Sequence, residues 1–350
     1  MSVRSVVVET LDVPLTRPYT IAFQTYDRVQ LAVLRVETAS GLIGWGSASP
    51  AVDVTGETMD ACIHGLNAAE EHLLGFDPGV RPEPPAELLP QLSETPAALA
   101  AVEMALLDLH GKRRDQPAFR PCMEGLPTSI TIGIKDSEAE LLAEADEYVG
   151  RGFRALKVKI GHDLDEDLHR LRRLRDHVGE AATIRVDANQ GYTVQSAGRL
   201  LAEARVLGLE LVEQPLPAQD LDANRSLPEV DLVCLDESVH DAAQAEVACT
   251  APVACGSINI KLMKGGIHEA LRIAGIAERT GRALMWGCMD ESRISIAAAL
   301  QSALSCPATR WLDLDGHLDL RDDPFSGGFT IDAGIMRPIG SPGLGVRRLD

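Results

Sequence analysis

The sequence predicts an α/β fold: a barrel of parallel β/α units with a smaller α+β domain ahead of it. Two observations support this prediction. From about residue 126, short runs rich in β-branched residues alternate with amphipathic helical patterns at intervals of about 25 residues, which is typical of parallel β/α units. Ionisable residues also recur at the ends of the predicted strands, and in a barrel those ends meet on one rim.

The first 125 residues indicate the smaller α+β domain. Three β-rich runs precede two helical patterns, and these segments cover residues 3–10, 30–38, 42–47, 57–74 and 96–114. Residues 39–41, Ala-Ser-Gly, separate the second and third runs and predict a hairpin turn. The proline-rich stretch 81–90 lies between the two helical patterns and predicts a loop.

Residues 126–320 contain the repeat. The predicted strands cover residues 129–134, 155–160, 183–187, 209–213, 232–236, 257–261, 283–288 and 310–313. Between them, apolar residues recur with helical spacing, as in Leu141, Ala145 and Val149. Strands and helices in this alternation predict a closed barrel with the helices outside.

Composition limits the possible partners. The net charge of −19 argues against nucleic acid and anionic membrane surfaces, since both require a basic face. The seven cysteines form no Cys-x-x-Cys pair, which favours reduced thiols over a disulfide framework or a zinc site. The apolar runs are far shorter than the roughly 20 residues of a transmembrane helix, and the N-terminus lacks a signal-peptide pattern. We therefore expect a cytoplasmic protein without a membrane span.

Six ionisable residues stand at the last or nearly last position of a predicted strand: Lys159, Asp187, Glu213, Asp236, Lys261 and Asp313. Active sites of such barrels lie on the rim formed by these strand ends, so the set predicts an active site. An aspartate at a strand end is also often the N-cap of the next helix, and this simpler explanation applies to any one of them taken alone.

Three of these residues predict a metal site. Asp187, Glu213 and Asp236 would bring three carboxylates together from consecutive strands. Oxygen ligands without histidine or cysteine suit Mg²⁺, with Mn²⁺ as an alternative, and leave positions for water and substrate. A divalent cation would also neutralise carboxylates that otherwise repel one another.

The lysines predict acid–base chemistry. Lys157 and Lys159 are two residues apart on a strand and therefore point to the same face. Two neighbouring ammonium groups near a metal ion depress each other's pKa, which would give a neutral lysine able to act as a base. Lys261 would face them from the far side of the carboxylates, so a proton could leave one face of an enolate and return to the other. The alternative is a pair of solvated lysines on an edge strand.

In this order and spacing, Lys157-Val-Lys159, Asp187, Glu213, Asp236 and Lys261 resemble the muconate-lactonising subgroup of the enolase superfamily, over nearly the whole chain. The resemblance implies a (β/α)7β TIM-like barrel at 126–320 and an α+β capping domain at 1–125, completed by residues 321–350. It also implies that loops at 19–28 and 49–57 close over the substrate.

A pair of acids on the last strand narrows the reaction. Asp313 and Asp315 in Trp-Leu-Asp-Leu-Asp-Gly resemble the signature of dipeptide epimerases, in which both carboxylates hold the N-terminal ammonium of the substrate. The resemblance then implies Mg²⁺-dependent inversion of the C-terminal residue, with the α-proton exchanged between Lys159 and Lys261 while Lys157 tunes the charge. A turn-forming pair of aspartates is the simpler alternative.

The substrate side chain is predicted from four further residues. Relatives that act on L-Ala-Glu carry an arginine in the cap loop, and the matching position here is Gln24, next to Phe23, which disfavours an acidic side chain. Asp290 and Glu291 follow the seventh strand and offer two acids near the pocket. We therefore expect a preference for dipeptides containing Lys or Arg, unless these acids only cap the next helix or pair with Arg293.

Other functions stay open at this point. An N-acylamino-acid racemase would use the same lysines but would not need the paired acids, and a cycloisomerase or o-succinylbenzoate synthase belongs to the same subgroup. A non-catalytic barrel would show no metal dependence. Lys264-Gly265-Gly266 lacks the residue that relatives usually have between lysine and glycines, so the sixth loop is expected to be short. We also expect a homo-oligomer.

Overall fold

The computed structural model describes residues 2–20, 25–80 and 82–349. The N-terminal sheet contains strands β1 (Val3–Thr20), β2 (Thr25–Thr38) and β3 (Ile43–Ala48), paired antiparallel in that order. Both strands of the first hairpin run further than the sequence predicted, because residues 11–20 and 25–29 continue the same pairing. The prediction of a loop over residues 19–28 is therefore wrong for its two flanks, which are strand.

The helices of this region are α1 (Val52–Thr55), α2 (Met59–Leu73) and α3 (Pro96–Arg114), with a 3₁₀ turn at Leu89–Leu92. α3 presents an alanine-rich face to β3 and comes so close that the facing strand needs glycine. A Cβ atom on Gly46 would lie 1.9 Å from the Ala101 carbonyl oxygen. Small residues on both elements thus permit the close packing of helix on sheet.

The second part of the chain forms an eight-stranded parallel sheet that curves into a barrel. After the short β4 (Leu126–Pro127), its strands are β5 (Ile130–Ile132), β6 (Ala155–Lys159), β7 (Thr183–Asp187), β8 (Leu209–Glu213), β9 (Val233–Leu235), β10 (Ser257–Ile260), β11 (Ala283–Gly287) and β12 (Thr309–Asp313). They pair in sequence order, and the bridge from Thr128 to Leu312 joins the last strand to the first.

Seven helices connect these strands: α4 (Glu138–Gly150), α5 (Leu164–Val178), α6 (Val194–Leu207), α7 (Leu221–Asn224), α8 (Ala242–Cys249), α9 (Gly266–Thr280) and α10 (Arg293–Ser305). Shorter 3₁₀ turns lie at Val230–Leu232 and Leu262–Lys264, and α11 (Gly316–Asp319) follows the last strand. In α5 the apolar residues Leu168, Leu171 and Leu174 are buried against the barrel, and Asp163 caps the helix by accepting from the Glu166 N–H. The predicted (β/α)7β barrel is confirmed.

The C-terminal segment folds back toward the N-terminal helices. Its strands are β13 (Phe325–Gly327), β14 (Phe329–Asp332), β15 (Ile335–Pro338) and β16 (Val346–Arg348). The fully buried carboxylate of Asp108 on α3 accepts from the backbone N–H groups of Trp45 and Leu344, at 3.0 and 2.8 Å. We propose the domain division 1–125 and 126–320, with 321–350 completing the first domain.

Helix α3 also contacts the barrel directly. The buried Glu103 carboxylate accepts from the backbone N–H groups of Ile267 and His268 at the start of α9, and bonds the His268 ring at 2.6 Å. An anionic group at a helix N-terminus satisfies N–H groups that have no partner within the helix. The base of the capping domain is thereby fixed to the barrel. No helix in the described residues is long and apolar enough to cross a bilayer.

Candidate active site

A cavity of about 560 Å³ opens where the barrel strands end. Its floor consists of strand-end residues, and its roof is formed by the first hairpin and residues 49–54 of the capping domain. Its walls include six charged residues that were predicted from the sequence: Lys157, Lys159, Lys261, Asp290, Asp313 and Asp315. Three of the six predicted rim residues, Lys159, Lys261 and Asp313, therefore line the cavity. The other three, Asp187, Glu213 and Asp236, are buried next to the lysines.

Lys157 lies at the centre of the charged cluster. Its Nζ is 2.8 Å from carboxylate oxygens of Glu213 and Asp313 and 3.1 Å from one of Asp187. Burial alone would lower the pKa of Lys157, but the three carboxylates outweigh it and raise that pKa well above its usual value. For Lys157, the expectation of a depressed lysine pKa is therefore not met with the side chains in this arrangement, because its ammonium contacts three carboxylates.

Lys159 and Lys261 lie on opposite sides of the carboxylates. The Nζ of Lys159 is 2.7 Å from Asp187 Oδ2, and that of Lys261 is 2.7 Å from Asp236 Oδ2. Strands β7, β8 and β9 separate β6, which ends in Lys159, from β10, which Lys261 directly follows. Two amines can thus approach a substrate between them from different sides.

The three predicted metal ligands come from those intervening strands. Asp187 and Glu213 are register partners at the ends of β7 and β8, and Asp236 directly follows β9. All three are buried. Burial and the neighbouring Asp187 raise the pKa of Glu213 to about 8. Burial also opposes ionisation of Asp187, but Lys157 and Lys159 hold the pKa of that carboxyl below its usual range.

The cluster as a whole suits a divalent cation. Within residues 2–20, 25–80 and 82–349, no three acidic, histidine or cysteine side chains already surround one point as metal ligands would, since the carboxylates turn toward lysines. Glu213 Oε2 and Asp236 Oδ2 are buried and form ion pairs with Lys157 and Lys261, but they make no hydrogen bond of good geometry with the described residues. The acidic groups of the cluster outnumber its lysines: the lysines are Lys157, Lys159, Lys261 and Lys264, and the acids are Asp187, Glu213, Asp236, Glu237, Asp313 and Asp315. This imbalance and the all-oxygen donors fit Mg²⁺.

Asp313 and Asp315 line the cavity beside Lys157. Asp313 bonds Lys157 at 2.8 Å and accepts from the Ser129 hydroxyl at 2.6 Å. Asp315 accepts from the Thr131 N–H at 2.7 Å, and burial together with Asp313 raises the pKa of Asp315 to about 6. Both carboxylate oxygens of Asp313 therefore have partners, whereas for Asp315 the Thr131 N–H holds Oδ2, and the pair as a whole favours a cation nearby.

The four predicted side-chain determinants differ in position. Phe23 and Gln24 lie outside the described residues. Asp290 lines the cavity. Glu291 does not, because its buried carboxylate turns inward and accepts from the Met289 N–H at 2.8 Å. Among the described residues, the structure thus brings only Asp290 to the cavity, whereas Glu291 is a structural acid.

Sequence reasoning did not assign Lys264 or Asn259. The buried Lys264 Nζ donates to the Asp236 carbonyl and carboxylate and to the Asn259 carbonyl, at 2.8 to 2.9 Å. Asn259 Nδ2 donates to Glu213 Oε1 at 2.8 Å. Asn259 lies on β10 two residues before Lys261, which directly follows that strand, so the alternation of side chains could have placed both on the inner face. Lys264 lies in a 3₁₀ turn after the strand, where no periodic pattern applies.

Fold and rim together define a class of protein: a barrel enzyme for acid–base chemistry, with lysines on both sides of a carboxylate triad. Residues 4–120 match the mandelate racemase/muconate lactonizing enzyme N-terminal domain, and residues 140–348 match the enolase C-terminal domain-like family. The chain therefore belongs to the mandelate racemase/muconate lactonizing enzyme family of the enolase superfamily, which confirms the resemblance inferred from the sequence.

Several similar proteins span nearly the whole chain. An L-Lys-D/L-Arg epimerase of Methylococcus capsulatus is 46% identical over 99% of both chains. The crystal structure of a dipeptide epimerase from that organism, complexed with Mg and the dipeptide L-Arg-D-Lys, has a TM-score of 0.96 at 46% identity and covers 99% of each chain. An L-Ala-D/L-Glu epimerase of Bacillus subtilis is 34% identical over 99% of this chain and 97% of the relative.

Proposed function

We propose that this protein is a Mg²⁺-dependent dipeptide epimerase that prefers dipeptides containing Lys or Arg. The observation that carries the proposal is the placement of Lys159 and Lys261 on opposite sides of the carboxylates, in one cavity with the paired acids Asp313 and Asp315. The similarity to the L-Lys-D/L-Arg epimerase of Methylococcus capsulatus supports the substrate class.

Asp187, Glu213 and Asp236 would hold the Mg²⁺ ion, which supplies positive charge where the substrate carboxylate gains electron density. Lys157, which contacts two of these acids and Asp313, compensates the remaining charge in the buried cluster. Its burial and its three ion pairs fix it in place, so we assign it to electrostatic stabilisation and not to proton transfer.

Lys159 and Lys261, which both line the cavity, carry the proton. With the α-carbon of the C-terminal residue between them, one amine removes the α-proton from one face and the other ammonium returns a proton to the opposite face. The stereocentre inverts because the two transfers occur on different faces. A positioned acid or base of this kind contributes about 10²- to 10⁴-fold to a rate.

The other acidic residues of the cavity support the proposed substrate class. Asp313 and Asp315 would bind the N-terminal ammonium, which requires that this amine be free. Beyond them, Asp53, Asp290 and Asp319 also line the cavity. Asp319 was not assigned from the sequence; burial and the neighbouring Asp315 raise its pKa to about 8, so a bound cation would stabilise its ionised form.

Proton NMR in D₂O tests the function. The protein with Mg²⁺ is mixed with L,L-dipeptides that vary in charge, and loss of the C-terminal α-proton signal is followed together with formation of the epimer. We expect exchange and epimerisation to be fastest for dipeptides of Lys and Arg. Exchange with N-succinyl or N-acetyl amino acids alone would refute the dipeptide assignment, and preference for apolar dipeptides would refute the cationic one.

Phe23 and Gln24 remain predictions for substrate contact. A homo-oligomeric assembly and a cytoplasmic location are likewise proposals that follow from the sequence. Analytical ultracentrifugation would test the first, and fractionation of the source cells the second.

A further inference from the structure

Lys159 is held differently from Lys261. Besides its ion pair with Asp187, Lys159 donates to Asn189 Oδ1 at 3.0 Å. Asn189 is itself contacted from the far side, because its Nδ2 lies 3.4 Å from Glu237 Oε1. For Lys261, the described residues give one side-chain ion pair, to Asp236.

The loop that carries Asn189 has an unusual backbone. Asn189 and Gln190 adopt positive φ angles of 39° and 68°, a region that residues other than glycine rarely enter. The turn is held by the Asn189 N–H, which donates to Asp187 Oδ1 at 3.0 Å, and by the Gln190 N–H, which donates to the Gln214 carbonyl at 2.8 Å. Two consecutive strained residues persist only where the surroundings fix them, and such positions cluster at functional sites.

Glu237 completes the arrangement. It lines the cavity, its Oε1 receives the weak contacts of Asn189 and Gln190, and its Oε2 is buried without a hydrogen bond among the described residues. The side-chain amide of Asn189 is thereby oriented with its nitrogen toward the acid. Its oxygen is left facing the ammonium of Lys159, which is the orientation that a lysine donor requires.

We propose that Asn189, oriented by Glu237, positions Lys159 for proton transfer, and that Asn189 does not act on the Lys261 face. The inference rests on the proposed function, in which each lysine serves one face of the substrate. Asp187 is also a proposed metal ligand, so Asn189 is the partner that stays with Lys159 when that carboxylate turns to the cation. A displacement of the amine by about 1 Å is enough to slow a transfer by about 100-fold.

Face-specific isotope exchange tests the proposal. The variant Lys159→Ala first defines which epimer of a Lys-Lys dipeptide exchanges its α-proton through Lys159, since that exchange is lost. Asn189→Gly removes the amide and keeps a residue that adopts positive φ freely. We expect Asn189→Gly to slow exchange of that same epimer by about 10- to 100-fold and to change exchange of the other epimer by less than about twofold. Glu237→Gln should shift the same ratio in the same direction by a smaller factor.

The possible results distinguish a failure of this inference from a failure of the proposed function. If Lys159→Ala leaves exchange of both epimers unchanged, the proposed function is wrong. If Lys159→Ala is face-specific but Asn189→Gly slows both epimers equally or neither, the positioning role is wrong. An equal loss at both faces would be the signature of a merely structural role.

Discussion

Replacing Lys157 by methionine should destabilise the protein and make it more responsive to Mg²⁺. The change keeps an unbranched side chain of similar length but removes the cation that contacts Asp187, Glu213 and Asp313 at 2.8 to 3.1 Å. Each acid retains at least one other partner: Lys159 and the Asn189 N–H for Asp187, the Asn259 amide for Glu213 and the Ser129 hydroxyl for Asp313. We therefore expect the free energy of unfolding to fall by about 3–5 kcal/mol, the cost of breaking one buried ion cluster, and not by three times that value.

Thermal unfolding measures the effect. For a chain of this length, 3–5 kcal/mol corresponds to a decrease of about 4–7 °C in Tm without metal. Titration with Mg²⁺ should then raise the Tm of the variant more than that of the wild type, because less neutralised carboxylates bind the cation more tightly and binding to the folded state stabilises it.

Lys135→Met is the matched control for this experiment. Lys135 also pairs with a buried acid, Glu144, but that acid keeps Arg17 and the Tyr148 hydroxyl as partners. Because Glu144 keeps two partners, loss of Lys135 should cost less than the roughly 3–5 kcal/mol expected for loss of Lys157. The reasoning about the buried cluster would be refuted if Lys157→Met and Lys135→Met melted together without metal, or if Mg²⁺ raised the Tm of wild type and Lys157→Met equally.

Three further predictions concern the acids. Asp315→Asn should lower kcat/KM for dipeptides with a free N-terminus by about 10- to 100-fold, as expected for loss of a charge-assisted contact to the ammonium. Steady-state kinetics measures this loss. An N-acetylated dipeptide is the control, because the variant and the wild type should not differ with it. Asp319→Asn should lower kcat/KM for Lys-Lys about tenfold and leave Ala-Ala unchanged; a uniform loss on both would contradict a role in side-chain recognition. Burial raises the pKa of Glu291 from 4.5 to about 7, so the folded state binds its proton more tightly than the unfolded chain, and stability is lost as pH rises from 4.5 to 7. Glu291→Gln should therefore have no advantage at pH 4.5 and gain up to about 3 kcal/mol above pH 7, measured by denaturant unfolding; an equal gain at both pH values would show that the effect is not titration.

Regular elements made most of the barrel predictable. Strand β7 ends at Asp187 and β8 at Glu213, as predicted, because a strand buried in a barrel is a short apolar run and its polar end marks the rim. The two-residue alternation likewise brought Lys157 and Lys159 to one face. These inferences use only local periodicity, which the sequence carries directly.

Residues outside that periodicity were missed. Lys264 and Asn189 lie in turns whose backbone is set by contacts with other loops, and Asp319 reaches the cavity from the short helix α11. Glu291 was misplaced for the same reason. After a strand ends, the sequence does not determine which of two neighbouring acids faces the cavity. Here Asp290 lines the cavity and the Glu291 side chain turns into the protein.

The contact of Glu103 with the start of α9 has a consequence for the evolution of substrate preference in this protein. It anchors the capping domain to the barrel through described residues that do not line the cavity, so the hairpin and residues 49–57 need not carry that attachment. Substitutions in these two segments can therefore change which substrate side chain is preferred, while the positions of the two lysines that transfer the proton stay the same. A chimera that received both segments from a relative of different preference should adopt that preference and keep the stereochemistry of its own lysines.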